Sequence, residues 1–327
     1  MVVRTADYRG RARAGLTPRS GPVGCTSVYR LAPLDEARSV GESVANESVE
    51  RLRSQVLAHM RRSLGAGDEP RPACQDPAEA YFDPGSITRQ VHSDLPAMLI
   101  GGVAALLFQM LHPLAMAGVA QHSNYRRDPL GRLERTATFL GTTTFFSRSE
   151  AEAAIAHVRK VHDSVIGTAP DGRSYTASDP ALVCWVHACE VRCFLSASLR
   201  YGPRPLVAVE QDRYLDEMAR VAIALGAIDV PRTVAELDGY FESVRPELRL
   251  TNEAKAARNF VVKGIGRWPH EVTTHSLLVA AAQGVMPAWA RRQLHLVSLP
   301  AGDRLAVQPT VQVLSRALRW VVASPAR

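Results

Sequence analysis

Residues 101–145, GGVAALLFQMLHPLAMAGVAQHSNYRRDPLGRLERTATFLGTTTF, bring an apolar helix, two histidines and a charged turn within a short reach of one another. Their reading decides the fold. The first part, from about 97 to 111, is apolar nearly all round, as befits a helix enclosed on every side. Asp94 and Pro96 supply its start. Pro113 lacks an N–H and crowds the preceding turn, so it ends or kinks the helix. The stretch from Leu95 to Ala120 has the length of a membrane span, but Gly101, Gly102, Gln109, His112 and Pro113 interrupt it. A buried pair of core helices is expected there, with no transmembrane span. The next helix starts with Asp128 as N-cap and Pro129 at its first position. At 100° per residue Leu130, Leu133, Ala137 and Leu140 share one face, with Arg132, Arg135, Thr136 and Phe139 on the flank beside it.

Upstream, residues 1–35 combine Arg, Gly, Pro and Ser with few periodic apolar positions and are expected to be a disordered basic tail. Val40, Val44, Val49, Leu52, Val56 and Met60 then recur at helical spacing, so residues 36–75 read as a helical extension and linker. The helical domain proper is expected over 76–325, with turn residues Asp83-Pro84-Gly85 before a helix that Ser86 caps.

Downstream, SRSEAEAAIAHVRKVHDSVIG reads as a helix capped at Ser147 or Ser149 and stopped at Gly167. Its apolar face carries Ile155, Val158, Val165 and Ile166 with His162 in the middle, and His157 lies on the opposite side. ALVCWVHACEVRCFLSASLRYG, after Asp179-Pro180, is apolar almost all round and is expected to be the buried central helix, with His187 inside. Thr233 and Glu236 cap another helix, and residues 274–298 and 308–324 give further helical patterns. No period-two run and no repeat stands out, so the fold class is all-α.

The 327 residues carry a net charge of +7, but only 6% are aromatic and no nucleic-acid recognition motif accompanies the charge, so nucleic acid is not an expected partner. The opening residues are charged and lack the apolar run of a secretory leader, which leads to a cytoplasmic expectation. Cys25, Cys74, Cys184, Cys189 and Cys193 are odd in number and without CxxC spacing, so they imply neither a disulfide framework nor structural zinc. There is no Gly-x-Ser-x-Gly elbow, P-loop, GxGxxG or HExxH motif, which removes the commonest hydrolase, nucleotide and metalloprotease chemistries.

Four histidines, His112, His122, His162 and His187, lie on apolar elements with no acid joining them. A haem needs one imidazole on the inner face of a buried helix, apolar walls for the macrocycle, and arginines for its propionates. His162 meets the first condition and His187 is the alternative. Against this stands the plainer possibility that the histidines are core packing and that Arg132, Arg135 and Thr136 form a solvated helix face.

The ordered motifs LLFQMLHPLAMAGVAQHSNYRRDPLGRLERT and AHVRKVHDSVIGTAPDGRSYTASDPALVCWVHACEVRCFLSASLRYGP resemble a helical oxygenase family over roughly residues 80–300. Its better-known relatives are the latex-clearing rubber oxygenases and the fungal mycophenolic-acid oxygenase MpaB. The rubber oxygenases are all-α haem-b proteins that cleave polyisoprene with dioxygen. The resemblance implies His162, in Val158-Arg159-Lys160-Val161-His162, as the proximal iron ligand, with His187 as the alternative. It places an Arg-x-x-Lys-Thr cluster on Arg132, Arg135 and Thr136, with Arg135 in the lysine's place, and a guanidinium does not ligate iron. No Asp or Glu lies between Asp94 and Asp128, so Gln121 occupies the region where an acid would remove a substrate proton. The expectation is a haem-b oxygenase taking dioxygen and a small hydrophobic substrate, isoprenoid or lipid-like. Arg132 and Arg135 would be on the propionate or oxygen side, Thr136 and His122 in the distal pocket, and Leu106, Phe108, Met110, Phe139 and Trp185 in the walls. The competing expectation is a non-catalytic helical protein that binds haem or a hydrophobic ligand.

Overall fold

The computed structural model describes residues 72–264, 269–296 and 300–322, which belong to one compact unit. The expectations for residues 1–35, for the helix within 36–64 and for Cys25 lie outside the described residues. The all-α class holds: helices α1 (Ile87–His92), α2 (Leu95–Gln109), α3 (Pro113–His122), α4 (Pro129–Phe145) and α5 (Arg148–Asp163) precede the central helix α6 (Pro180–Tyr201). After it come α7 (Ala208–Leu225), α8 (Val234–Val244), α9 (Asn252–Lys263), α10 (Pro269–Val285), α11 (Ala288–Gln293) and α12 (Gln308–Val322).

The helix starts follow from local chemistry. Ser86 accepts from the Arg89 N–H, Asp128 from Gly131 at 2.9 Å, Asp179 from Ala181 at 2.8 Å and Thr233 from Glu236 at 3.2 Å, each satisfying one of the N–H groups a helix start leaves unpaired. Pro113 breaks the apolar stretch as expected: α2 and α3 meet at a bend of 105°. Asp94 precedes α2 but makes no cap bond, because its carboxylate holds Arg319 of α12 through two bonds of 2.8 Å.

The centre is the packing of α2 on α6. A Cβ on Gly101 would lie 2.7 Å from the Phe194 ring and 3.0 Å from its Cα, so only glycine allows this approach of the two backbones. Phe108 also stacks within 5.4 Å of Trp185, 5.0 Å of Phe241 and 5.4 Å of Trp289, an edge-and-face cluster within the core. Among the described residues α6 is the helix long and apolar enough to cross a membrane, but 72% of that stretch is buried inside the fold.

The structure departs from the sequence reading in two places. Helix α5 ends at Asp163, and residues 166–168 pair antiparallel with 174–176 as β1 and β2, with Ile166 opposite Thr176. Val165 and Ile166 therefore do not belong to the helix face, and Ile166 is 64% exposed. Strands of three residues are too short to give a period-two signal. The pattern at 274–298 is broken after Val285 into α10 and α11, with Pro287 as the N-cap residue of the second.

Candidate active site around the end of helix α3

The C-terminal turn of α3 joins two other parts of the chain. On one side, Arg132 in the first turn of α4 donates to the Ser123 hydroxyl at 2.8 Å. On the other, Gln121 donates to the Thr168 carbonyl of β1 at 2.9 Å and accepts from the Tyr175 hydroxyl of β2 at 2.7 Å. The His122 ring stands edge-on to Tyr175 at 6.2 Å, and Gly118 lies against Tyr175 and Val165. The strand pair begins shortly after His162. The hairpin that the sequence did not reveal thus ties the end of α5 to the end of α3. A cavity of about 340 Å³ opens here, lined by Ala120, Ser123, Tyr125, Arg126 and Glu253 among others.

Arg132 is half-buried, burial lowers its pKa, and the Tyr125 hydroxyl opposes that shift. Among the described residues it has no carboxylate partner, so its charge is open to an anionic group. Arg135 and Thr136 are not brought to the same place. Arg135 forms an exposed ion pair with Asp128 at 3.3 Å, and the exposed Thr136 hydroxyl donates to the Arg132 carbonyl one turn back.

The buried histidines fall into two kinds. His92 has both nitrogens engaged, by the Thr144 hydroxyl at 2.8 Å and the Tyr214 hydroxyl at 3.1 Å, and burial pushes its pKa down to about 3. It is a satisfied core residue. His162, His187 and His112 instead each keep a buried ring nitrogen without a hydrogen-bond partner: Nδ1 of His162, Nε2 of His187 and Nδ1 of His112. Burial drives His187 and His112 to about 4 and lowers His162, so all three are neutral at pH 7, the state in which an imidazole binds iron. An unsatisfied buried polar atom costs about 1–3 kcal/mol, which an axial bond to a metal removes. His112 lies against the Trp185 ring at 5.9 Å, within the aromatic cluster. His162 is half-buried on the last turn of α5, on the side carrying Ile155 and Val158, and His187 is 6% exposed on α6.

Glu190, one turn beyond His187, was missed in the sequence. It is half-buried, its carboxylate accepts from Gln109 of α2 at 3.5 Å, and desolvation raises its pKa to about 7. Among the apolar side chains only partly buried against the core are Val119 of α3 and Phe139 and Leu140 of α4. Phe108 and Trp185, expected as pocket walls, are 0% exposed and fill the aromatic cluster instead; Leu106 and Phe139 keep accessible surface. The three cysteines of α6 are buried, and desolvation raises their thiols, so they are inert packing.

Among the described residues no three His, Cys, Asp or Glu side chains gather as a metal-ligand group. A porphyrin brings four of its iron's ligands and asks for one imidazole, so the donor set suits it. The profile of the family described as ER-bound oxygenase mpaB/B'/rubber oxygenase, catalytic domain, matches residues 89–322. Uncharacterized proteins of Mycobacterium bovis and of Mycobacterium tuberculosis are each 31% identical to the chain over 105 residues, 31% of its length. The matched segment spans 41% of the length of those relatives. No solved structure matches.

Proposed function

This chain belongs to the family of the ER-bound oxygenase mpaB/B' and rubber oxygenase catalytic domains, and from that premise we propose that it is a haem-b-dependent oxygenase. It joins dioxygen to a small hydrophobic, isoprenoid or lipid-like molecule, and its place is the cytoplasm. The observation that carries the haem reading is the buried, partnerless imidazole nitrogen of His162 on the inner face of α5, next to the segment that meets α3. His162 would hold the iron, with His187 as the alternative, and Arg132 would meet a propionate beside Ser123. Haem, when bound, supplies the activation of dioxygen.

The chain's own residues supply the rest. On the helices that carry His122 and Arg132, the partly covered side chains Val119 of α3 and Phe139 and Leu140 of α4 would receive an apolar substrate. Glu190 holds or takes a proton at its carboxylate oxygen. With a pKa near 7 it is half ionised at neutral pH, the condition in which a general base is both available and strong enough. It fills the role for which Gln121, engaged with Thr168 and Tyr175, has no basic group. Arg135 and Thr136 would act only from the rim, and His122 from the Tyr175 side.

Dioxygen uptake with a short polyisoprenoid tests the proposal. The Glu190→Gln variant is expected to keep the haem spectrum and lower kcat by about 10²-fold or more. Undiminished kcat in that variant would remove Glu190 from the proton step. A haem-loaded wild type that consumes no dioxygen with any apolar substrate would instead favour binding without turnover.

A further inference from the structure

A cavity of about 580 Å³ lies where the last turns of α6 meet α10, α11 and α12. Its lining includes Arg200 of α6, Arg291 of α11, Gln308 and Gln312 of α12, and Asp303 and Arg304 from a π turn (Asp303–Val307) directly before α12. Such turns are rare and recur at functional sites. Among the described residues of the lining, Leu199 is the larger apolar side chain, whereas a pocket for an apolar molecule is lined mostly by such groups. Three guanidiniums stand there with one carboxylate, a surplus of two positive charges.

The polar groups are held in place. Arg200 donates to the Gly284 carbonyl at 2.8 Å, to Asp303 at 2.6 Å and to Gln308 at 3.2 Å, and Arg291 donates to the Gln283 carbonyl at 3.1 Å. Gly284 leaves room for this, since a Cβ there would stand 3.0 Å from Asp303 Oδ1 and 3.1 Å from Arg200 Nη1. With these bonds made, the Nε of Arg200, the Nε of Arg291 and the Oδ1 of Asp303 are still buried without a partner among the described residues. Arg304 is exposed and has no ion-pair partner among them. A buried donor or acceptor left unpaired is costly and uncommon, and here two donors and one acceptor belong to the lining of one cavity.

We propose that this cavity binds a small polyol phosphate, a phosphate monoester whose body carries hydroxyl groups. The surplus charge matches the roughly −1.5 to −2 that a phosphate monoester carries at neutral pH. A guanidinium offers its Nε and a terminal nitrogen as a fork that fits two phosphate oxygens. Asp303 Oδ1 can only accept, and a hydroxyl on the ligand body gives it a donor. The volume falls in the range of about 300–1,000 Å³ that houses a whole small molecule. The site is separate from the candidate iron ligands: His187 and Arg200 lie on the same helix, about 20 Å apart along its axis. The proposal does not depend on the haem reading.

Thermal-shift and calorimetric titrations of the full chain with ribose 5-phosphate, inorganic phosphate and ribose test it. Ribose 5-phosphate is expected to raise Tm saturably and to bind about 10-fold more tightly than inorganic phosphate, while ribose does not bind. Arg304→Ala, at an exposed position, should keep the wild-type circular dichroism and weaken ribose 5-phosphate about 10-fold. Arg291→Lys, which keeps the charge but loses the fork, should weaken it by a similar factor. Lys255→Ala removes an exposed charge of α9 outside the lining and should change nothing. The proposal is overturned by no Tm shift at millimolar ribose 5-phosphate, by equal affinity for inorganic phosphate, or by an equal loss in Lys255→Ala and Arg304→Ala. Co-sedimentation with vesicles containing phosphatidic acid, without binding of ribose 5-phosphate, would assign the cavity to a lipid headgroup and overturn it likewise.

Discussion

His162→Ala is expected to be isolated without a Soret band while folding as the wild type does. The side chain is half-buried at the last turn of α5 and its Nδ1 has no hydrogen-bond partner to lose, so its truncation removes little packing. It would, however, remove the one bond from protein to iron. Loss of residues that merely support a ligand already costs about 10–100-fold in metal affinity, and loss of the ligand costs more. His187→Ala distinguishes the two candidate helices: with His162 as the ligand it keeps the band, although it loses stability because His187 is enclosed in the core. Haem titration of both variants at equal protein concentration decides. A full Soret band in His162→Ala with none in His187→Ala would move the ligand to α6.

The haem-free protein is expected to lose stability steeply between pH 6.5 and pH 5. His92, His112 and His187 are buried neutral, with pKa values lowered from 6.5 to about 3, 4 and 4. As pH falls below 6.5 the unfolded chain binds protons at these three sites while the folded one does not, so folding weakens until pH reaches the folded values. Glu190 acts in the opposite direction. Its carboxyl, raised from 4.5 to about 7, takes a proton in the folded state first and so adds stability as pH falls from 7 to 4.5. Three protons less one leaves a net of about two, or roughly 2.7 kcal/mol per pH unit at full slope. That is large against a total of about 5–15 kcal/mol for a domain. Denaturant midpoints at pH 7.0 and 5.5 measure it. A flat profile over this window, which lies above the titration of ordinary carboxylates, would show that these imidazoles are hydrated rather than enclosed.

The fold was legible because its signals are local and strong. Asp128-Pro129, Asp179-Pro180, Ser86 and Thr233 are cap chemistry, and each begins a helix where expected. The nearly all-round apolarity of residues 180–201 marked the central helix. What failed was short or non-local. The pair 166–168 and 174–176 is too brief for periodicity, and its consequence, tying His162's end of α5 to α3, depends on contacts across dozens of residues. Wheel positions placed Arg132, Arg135 and Thr136 on one flank, yet Arg135 pairs with Asp128 at the surface and only Arg132 reaches inward to Ser123. A wheel gives a direction from the axis but not the neighbour waiting there. Glu190 escaped notice as a lone acid in an apolar helix. That loneliness was itself a usable signal, since a carboxylate inside a core helix is either satisfied or employed.

The haem content of the wild-type protein, expressed with adequate iron and measured as a pyridine haemochrome against protein concentration, tests the central claim most directly. One b-type haem per chain is expected, with a Soret band that substitution of the ligand histidine removes. Protein that remains without haem after reconstitution would contradict it, and the partnerless nitrogens of His162 and His187 would then belong to a pocket for another ligand.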